Sequence, residues 1–308
     1  MTSLVITRST PFCTVQDAGR FGIRHLGITQ SGAADWVSMY WANWLLGNLL
    51  TAPVVEIPLG GFAVKASGIS TVAIAGANLG AQLNGAPLGN YQTVELKEGD
   101  ELTFLSPVCG QRAYLAAPGG FLATNELGSV STNSREQLGG LNGSGVALGA
   151  GDTLNSAAGI ASLRVMPAAK KWTFEARAVL DMVIGAQLGQ FTGRSTFDAF
   201  NSDWEIDARA DRMGIRLQGP ILDYLGAPLI SEGIPYGAIQ VPPDGQPIVL
   251  LNDRQTIGGY PRIGALTPIA AARIAQLAPG DKVRLRPTTQ ESAAKQHLEI
   301  LASYWGWS

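Results

Sequence analysis

Cysteine and histidine are nearly absent from this 308-residue chain, with two of each. Cys13 and Cys109 cannot build a disulfide framework and read as small buried apolar residues. Zinc needs clustered thiols and imidazoles, and none cluster here, so no metal is expected. A Ser-His-Asp triad would depend on His25 alone, because His297 sits in a terminal polar segment and reads as a surface residue. Charge is also scarce, at 15% of residues with a net of −2. Such a chain has no general attraction for nucleic acid or anionic lipid. Lysines are few beside arginines, so an anion site would use guanidinium forks or backbone amides. No apolar run approaches the roughly 20 residues that span a bilayer. The start, Met1-Thr2-Ser3-Leu4-Val5-Ile6, lacks the basic and apolar regions of a secretion signal, so the expected location is cytoplasmic. Neither G-x-x-x-x-G-K-[ST] nor a strand-linked G-x-G-x-x-G occurs, so the chain has no standard nucleotide cradle of its own.

What is present is glycine (38), proline (17) and 46% apolar residues. These mark a core-forming chain of many turns and short strands. Apolar runs predict strands at 4–7, 54–57, 63–65, 71–75, 113–116, 179–184, 215–217 and 248–251. Short strands between Gly/Pro turns argue for mainly antiparallel sheets or barrels. Helices are expected at 35–46, 268–277 and 292–304. Three segments repeat one pattern, a Gly-Asp turn entering a short strand: Gly99-Asp100, Gly151-Asp152 and Gly280-Asp281. The recurrence suggests related β modules. The Ala- and Gly-rich stretch 143–161, followed by 167–171, is the expected module boundary, dividing the chain into 1–160 and 161–308.

Polar side chains concentrate in two glycine-rich stretches. One runs from Thr14 to Asp35 and holds Gln16, Asp17, Arg20, Ser31 and Gly32. The other follows the apolar run Ile248–Leu251 and holds Asp253, Arg254, Gln255, Thr256, Gly258, Gly259 and Tyr260, with Gln240 upstream. Asp17 and Asp253 are candidate general bases or water-orienting groups. Arg20 and Arg254 are candidates to hold a carboxylate, phosphate or developing oxyanion. Gln16, Gln240 and Gln255 offer donor and acceptor together to an amide or lactam edge. Tyr260, after two glycines, could wall a pocket or donate a proton. Ser31, Gly32, Thr256, Gly258 and Gly259 complete the substrate-binding candidates. The competing reading of each Asp–Arg pair is a salt bridge that pins a loop. Asp35 could simply cap the helix behind it.

The motifs carry a resemblance. VQD-x-GR-x-G-x-RH-x-G from Val15, SGA-x-D from Ser31, AN-x-L-x-GN from Ala42 and NDRQT-x-GGYPRI from Asn252 resemble the allophanate-hydrolase subunit 2 family of biotin-dependent carboxyltransferase-like proteins. Arg212–Pro220 and Gly237–Pro242 fit as well. The resemblance implies two cyclophilin-like β-barrel modules with a few short helices. It implies a role as the C subunit of an ATP-dependent 5-oxoprolinase that opens 5-oxo-L-proline to L-glutamate with subunits B and A, the complex using the ATP. A second implied role is a carboxyltransferase moving CO2 from carboxybiotin to a urea-like amide. Biotin would then ride on a partner, since no Met-Lys acceptor dipeptide occurs here. A third is a binding protein antagonising a kinase inhibitor, with Trp305 and Trp307 as interface candidates. The chain departs from the family pattern at Val130, where Arg is common, near Gly143, where an Arg is missing, and at Ala186, in place of a Gly-Pro step. A lost guanidinium removes a ligand anchor.

Overall fold

A computed structural model describes residues 3–156, 161, 164–167, 170 and 172–305. The chain is mainly β, with four short α-helices among the described residues, and forms two compact units. The first comprises 1–22 and 31–174, the second 23–30 and 175–308. Part of the expected boundary stretch, namely 157–160, Ala168, Ala169 and Lys171, lies outside the described residues.

All eight expected strands form, most extended by a residue or more. In the first unit they make two antiparallel sheets. One orders Thr153–Asn155, Ser3–Arg8, Phe62–Ala66, Glu101–Phe104, Gln82–Leu83 and Ala86–Pro87. The other orders Thr14–Gln16, Val54–Pro58, Cys109–Ala116, Ser70–Asn78 and Gln92–Leu96. Leu4, Ile6, Val15, Ile57, Phe62, Ile74, Leu102 and Leu115 share one core. Eight of the nine residues of Ser70–Asn78 are buried, because helix α1 (Trp36–Leu46) covers the outer face of that strand. A strand covered on both sides reads as a continuous apolar run rather than an alternating one. Helix α1 is itself buried at eight of its eleven positions.

Capping fixes the ends of α1. The Asp35 carboxylate accepts from the Ser38 amide at 3.0 Å, and Gly47 closes the helix at φ 72°. The Asn43/Asn48 pair of the AN-x-L-x-GN motif then shapes the exit. Asn43 Nδ2 donates to the Leu50 and Ala52 carbonyls, while Asn48 bridges Asn43, the Ala117 carbonyl and the Gly119 amide.

The three Gly-Asp turns are the same structure. Each Asp accepts through Oδ2 from the amide three residues before it, Lys97, Gly149 and Ala278, at 2.7–2.8 Å. The glycines take φ of 85°, 96° and 89°. Their amides, and the carbonyls of the aspartates, bond one residue of a neighbouring strand: Ala66, Ile6 and Ile206.

In the second unit, seven strands close a barrel: Arg177–Ile184, Arg262–Leu266, Ala238–Gln240, Ile248–Leu250, Gly214–Gln218, Trp204–Ala210 and Lys282–Thr288. The last pairs parallel with the first. Its core includes Leu180, Met182, Trp204, Ile206, Leu217, Ile239 and Val249. A two-stranded sheet, Glu232–Gly233 with Ile257–Gly258, stands apart from the barrel. The expected helix at 268–277 is α3, Pro268–Ile274, and that at 292–304 is α4, Gln290–Trp305.

Four expectations are corrected or limited. Cys109 is exposed at the head of its strand, not buried, and donates to the Phe174 carbonyl at 3.3 Å. His297 is half-buried on α4 rather than at the surface, and burial lowers its pKa. Helix α2, Gly193–Asn201, was not expected. Its first residue is glycine, but Thr192 accepts from the Ser195 amide and supplies the start. Trp305 ends α4, and Trp307 lies outside the described residues.

Candidate functional site

Gln16, Asp17, Arg20, Ser31 and Gly32 belong to the first unit. The strand Thr14–Gln16 delivers Asp17 to a loop that meets residues 129–133. There the Asp17 carboxylate accepts four hydrogen bonds: Ser129 Oγ and Ser131 Oγ at 2.6 Å each, Gly19 N at 2.8 Å and Val130 N at 2.9 Å. Three of these donors meet Oδ1 and one meets Oδ2. Gln16 is fully buried, with Nε2 on Thr14 Oγ1 and the Thr132 carbonyl. Arg20 is fully buried and donates from Nε to the Glu126 carbonyl at 3.2 Å. Ser31 adopts φ 56° and accepts from Asn133 Nδ2. A side chain at Gly32 would meet the Ala18 carbonyl at 2.8 Å, so this glycine lets the two loops touch. Val130 is buried in the core of the unit, between the two serines that hold Asp17.

The same unit holds a buried network that the sequence did not single out as chemical. Tyr114 OH donates to Glu56 Oε2 at 2.8 Å, and the Asp35 amide donates to Tyr114 OH. Glu56, Tyr114 and Asp35 are all fully buried. Burial, then the Glu56 and Asp35 charges, push the Tyr114 phenol well above its ordinary value. The network ties residues 34–38 to the sheet.

Gln240, Asp253, Arg254, Gln255, Thr256, Gly258, Gly259 and Tyr260 belong to the second unit, with 23–30. Asp253 is held in a fork by Arg212, Nε to Oδ2 at 2.8 Å and Nη2 to Oδ1 at 3.2 Å. Arg254 is 2% exposed, and its neutral acceptors are the Ile234 carbonyl, the Leu251 carbonyl and Gln30 Oε1. Its guanidinium also lies over the Tyr236 ring. Burial, then the neighbouring Arg24, pull its pKa down to about 10. Arg24 donates from Nη2 to the carbonyls of Ile234, Gln255 and Thr256 at 2.9–3.1 Å. Thus Arg24, Arg212, Ser129 and Ser131 surround the expected residues, and sequence reasoning had not placed them there. Arg24 and Arg212 lie within the long motifs, which was the only signal for them.

The Gln240 side chain is 2% exposed, and its Nε2 has no hydrogen-bond acceptor among the described residues. That nitrogen lies 3.0 Å from where a Cβ on Gly258 would stand, and Gln255 Nε2 lies 3.6 Å from the same point. Ile234 Cδ1 is at 2.7 Å, so a side chain at Gly258 would push the tip of Ile234 aside. At Gly259 the Leu229 carbonyl is 3.2 Å from the equivalent point. Tyr260 is 48% exposed. Among the described residues, no group of three or more His, Cys, Asp or Glu could hold a metal, and no helix is long and apolar enough to cross a membrane.

Residues 26–287 match the model of the carboxyltransferase domain, subdomain A and B. The chain belongs to this family. As a member of the carboxyltransferase-domain family, it is similar to the 5-oxoprolinase C subunit of Escherichia coli, 36% identical over 301 residues, covering 95% of this chain and 93% of that protein. It is 33% identical over 292 residues to the 5-oxoprolinase C subunit of Haemophilus influenzae, covering 92% and 90%. The fold matches the urea amidolyase of K. lactis with a TM-score of 0.90 at 24% identity, covering 97% of this chain and 20% of that one.

Proposed function

We propose that this chain is the C subunit of an ATP-dependent 5-oxoprolinase that opens 5-oxo-L-proline to L-glutamate together with subunits A and B. The observation that carries the reading is similarity to two proteins named as 5-oxoprolinase C subunits over at least nine-tenths of both partners in each pair. The polar inventory of the second unit agrees with it, because amide and guanidinium donors suit a small ligand rich in acceptor oxygens. An unstrained lactam resists water at neutral pH, and phosphorylation of its oxygen by ATP supplies the activation. The sequence has no phosphate-cradling motif, so ATP binding falls to the partner subunits. This chain's part is to bind and orient the lactam. The test is reconstitution with subunits A and B: ATP-dependent glutamate release should require this chain, and release that is independent of it overturns the reading.

The family match itself favours one second reading, carboxyl transfer from a partner's carboxybiotin to a urea-like amide. An avidin blot of the native complex separates the two. A biotinylated partner supports carboxyl transfer, and its absence supports lactam opening.

A further inference from the structure

The amides of Gln240 and Gln255 converge over Gly258. Buried polar groups are almost always satisfied, and an unsatisfied buried donor is destabilising. Gln240 Nε2 is buried and has no acceptor among the described residues. The Gln255 side chain makes no hydrogen bond within the described residues, and its nitrogen approaches the same point. The buried Gln240 donor calls for an acceptor, and the half-buried Gln255 nitrogen lies near the same point. Charge decides which kind. Arg254, next in sequence to Gln255, binds neutral oxygens only, its sequence neighbour Asp253 is forked to Arg212, and Glu232, which pairs with Gly258 across the two-stranded sheet, already accepts from Gln187 and Arg262. The Arg254 guanidinium binds the Ile234 carbonyl, while the Ile234 side chain packs at Gly258. A buried positive charge beside two neutral donors favours an anion over a neutral carbonyl.

We propose that Gln240 and Gln255, over Gly258, bind the carboxylate of a carboxylated lactam, with Arg254 behind them supplying the field. This rests on the lactam-opening reading and adds that the anionic end of the substrate, not its reacting amide, sits here. Gln240 and Gln255 are then specificity-determining residues. A Cβ at Gly258 would press on the Gln240 amide, 3.0 Å away.

The experiment compares 5-oxo-L-proline with 2-pyrrolidinone, the same lactam without the carboxylate, in the reconstituted complex and by calorimetric binding to the full chain. Wild type should prefer the carboxylated lactam. Gln240→Leu should raise KM for 5-oxo-L-proline about 10- to 100-fold, as loss of a hydrogen bond to a charged group predicts. The kcat should change less than about threefold, because the contact is remote from the reacting bond. Gln255→Glu, which keeps shape and adds a like charge, should do the same. Equal use of both lactams by wild type overturns the proposal, and so does a Gln240→Leu variant that loses kcat at unchanged KM. If the complex opens no lactam but the chain binds 5-oxo-L-proline in a Gln240-dependent way, the enzymatic reading fails and the carboxylate site stands. If neither activity nor binding is seen, both fail.

Discussion

Asp17 and Asp253 were the two carboxylates expected to do chemistry, and their surroundings differ in a way that makes distinct predictions. Asp17 is enclosed by four donors. Replacing it with Asn puts an NH2 where an acceptor is needed and leaves at least one donor unmet. We expect Asp17→Asn to lower unfolding free energy by about 2–3 kcal/mol, read as a shift in urea midpoint at constant slope. Asp253 is forked to Arg212, with side chains 12% and 19% exposed. Partial exposure screens such a pair, so Asp253→Asn should cost about 1–2 kcal/mol. A double-mutant cycle with Arg212→Met should show non-additivity. Additive effects would mean that the fork contributes nothing. Which residues would be polar and clustered was legible, because Gln, Asp and Arg between glycines stand out. Their partners were not. Ser129 and Ser131 lie 112 and 114 positions from Asp17, and no local pattern links them. Val130 shows the limit of motif reading: its side chain, where Arg is common in the family pattern, is packed in the core.

At the scale of elements, period and punctuation were readable. Strand alternation, the Asp35 cap and the recurrent Gly-Asp turns all follow from local rules. Helix α2 was missed because its start rests on Thr192 rather than on an apolar stripe. The two-stranded sheet Glu232–Gly233 with Ile257–Gly258 was missed because each strand is two residues long. That sheet is secured by the Glu232 carboxylate, which accepts from Gln187 and Arg262. These bonds, Gln187 first, hold the Glu232 pKa below its ordinary 4.5. A depressed carboxylate stabilises above its unfolded pKa and loses that contribution as pH falls through the folded one. Amide exchange at 232–233 and 257–258 should therefore accelerate below about pH 4.5 relative to the barrel strands. Glu232→Gln should make it insensitive to pH in that window. Unchanged pH dependence in the variant would place the acid sensitivity elsewhere.

At the scale of the whole molecule, neither unit is a single stretch of chain, because 23–30 belongs with 175–308. The Arg24 guanidinium alone caps three carbonyls of the second unit. A fragment of residues 175–308 should therefore be less stable than the same fragment supplied with a peptide of residues 23–30. Arg24→Ala in the peptide should abolish the gain, measured as a shift in melting temperature. No shift with the native peptide would show that the excursion is dispensable.

The same excursion imposes a schedule on synthesis. Arg24 leaves the ribosome early, yet the Ile234 carbonyl that it binds is 210 residues away. At typical elongation rates of about 5–20 residues per second, the guanidinium waits about 10–40 s for its acceptors. During that interval the first unit can close its own core while eight residues within its sequence have no place to fold. The newborn chain therefore carries residues 23–30 as an undocked loop, open to a chaperone or a protease until the second unit is made.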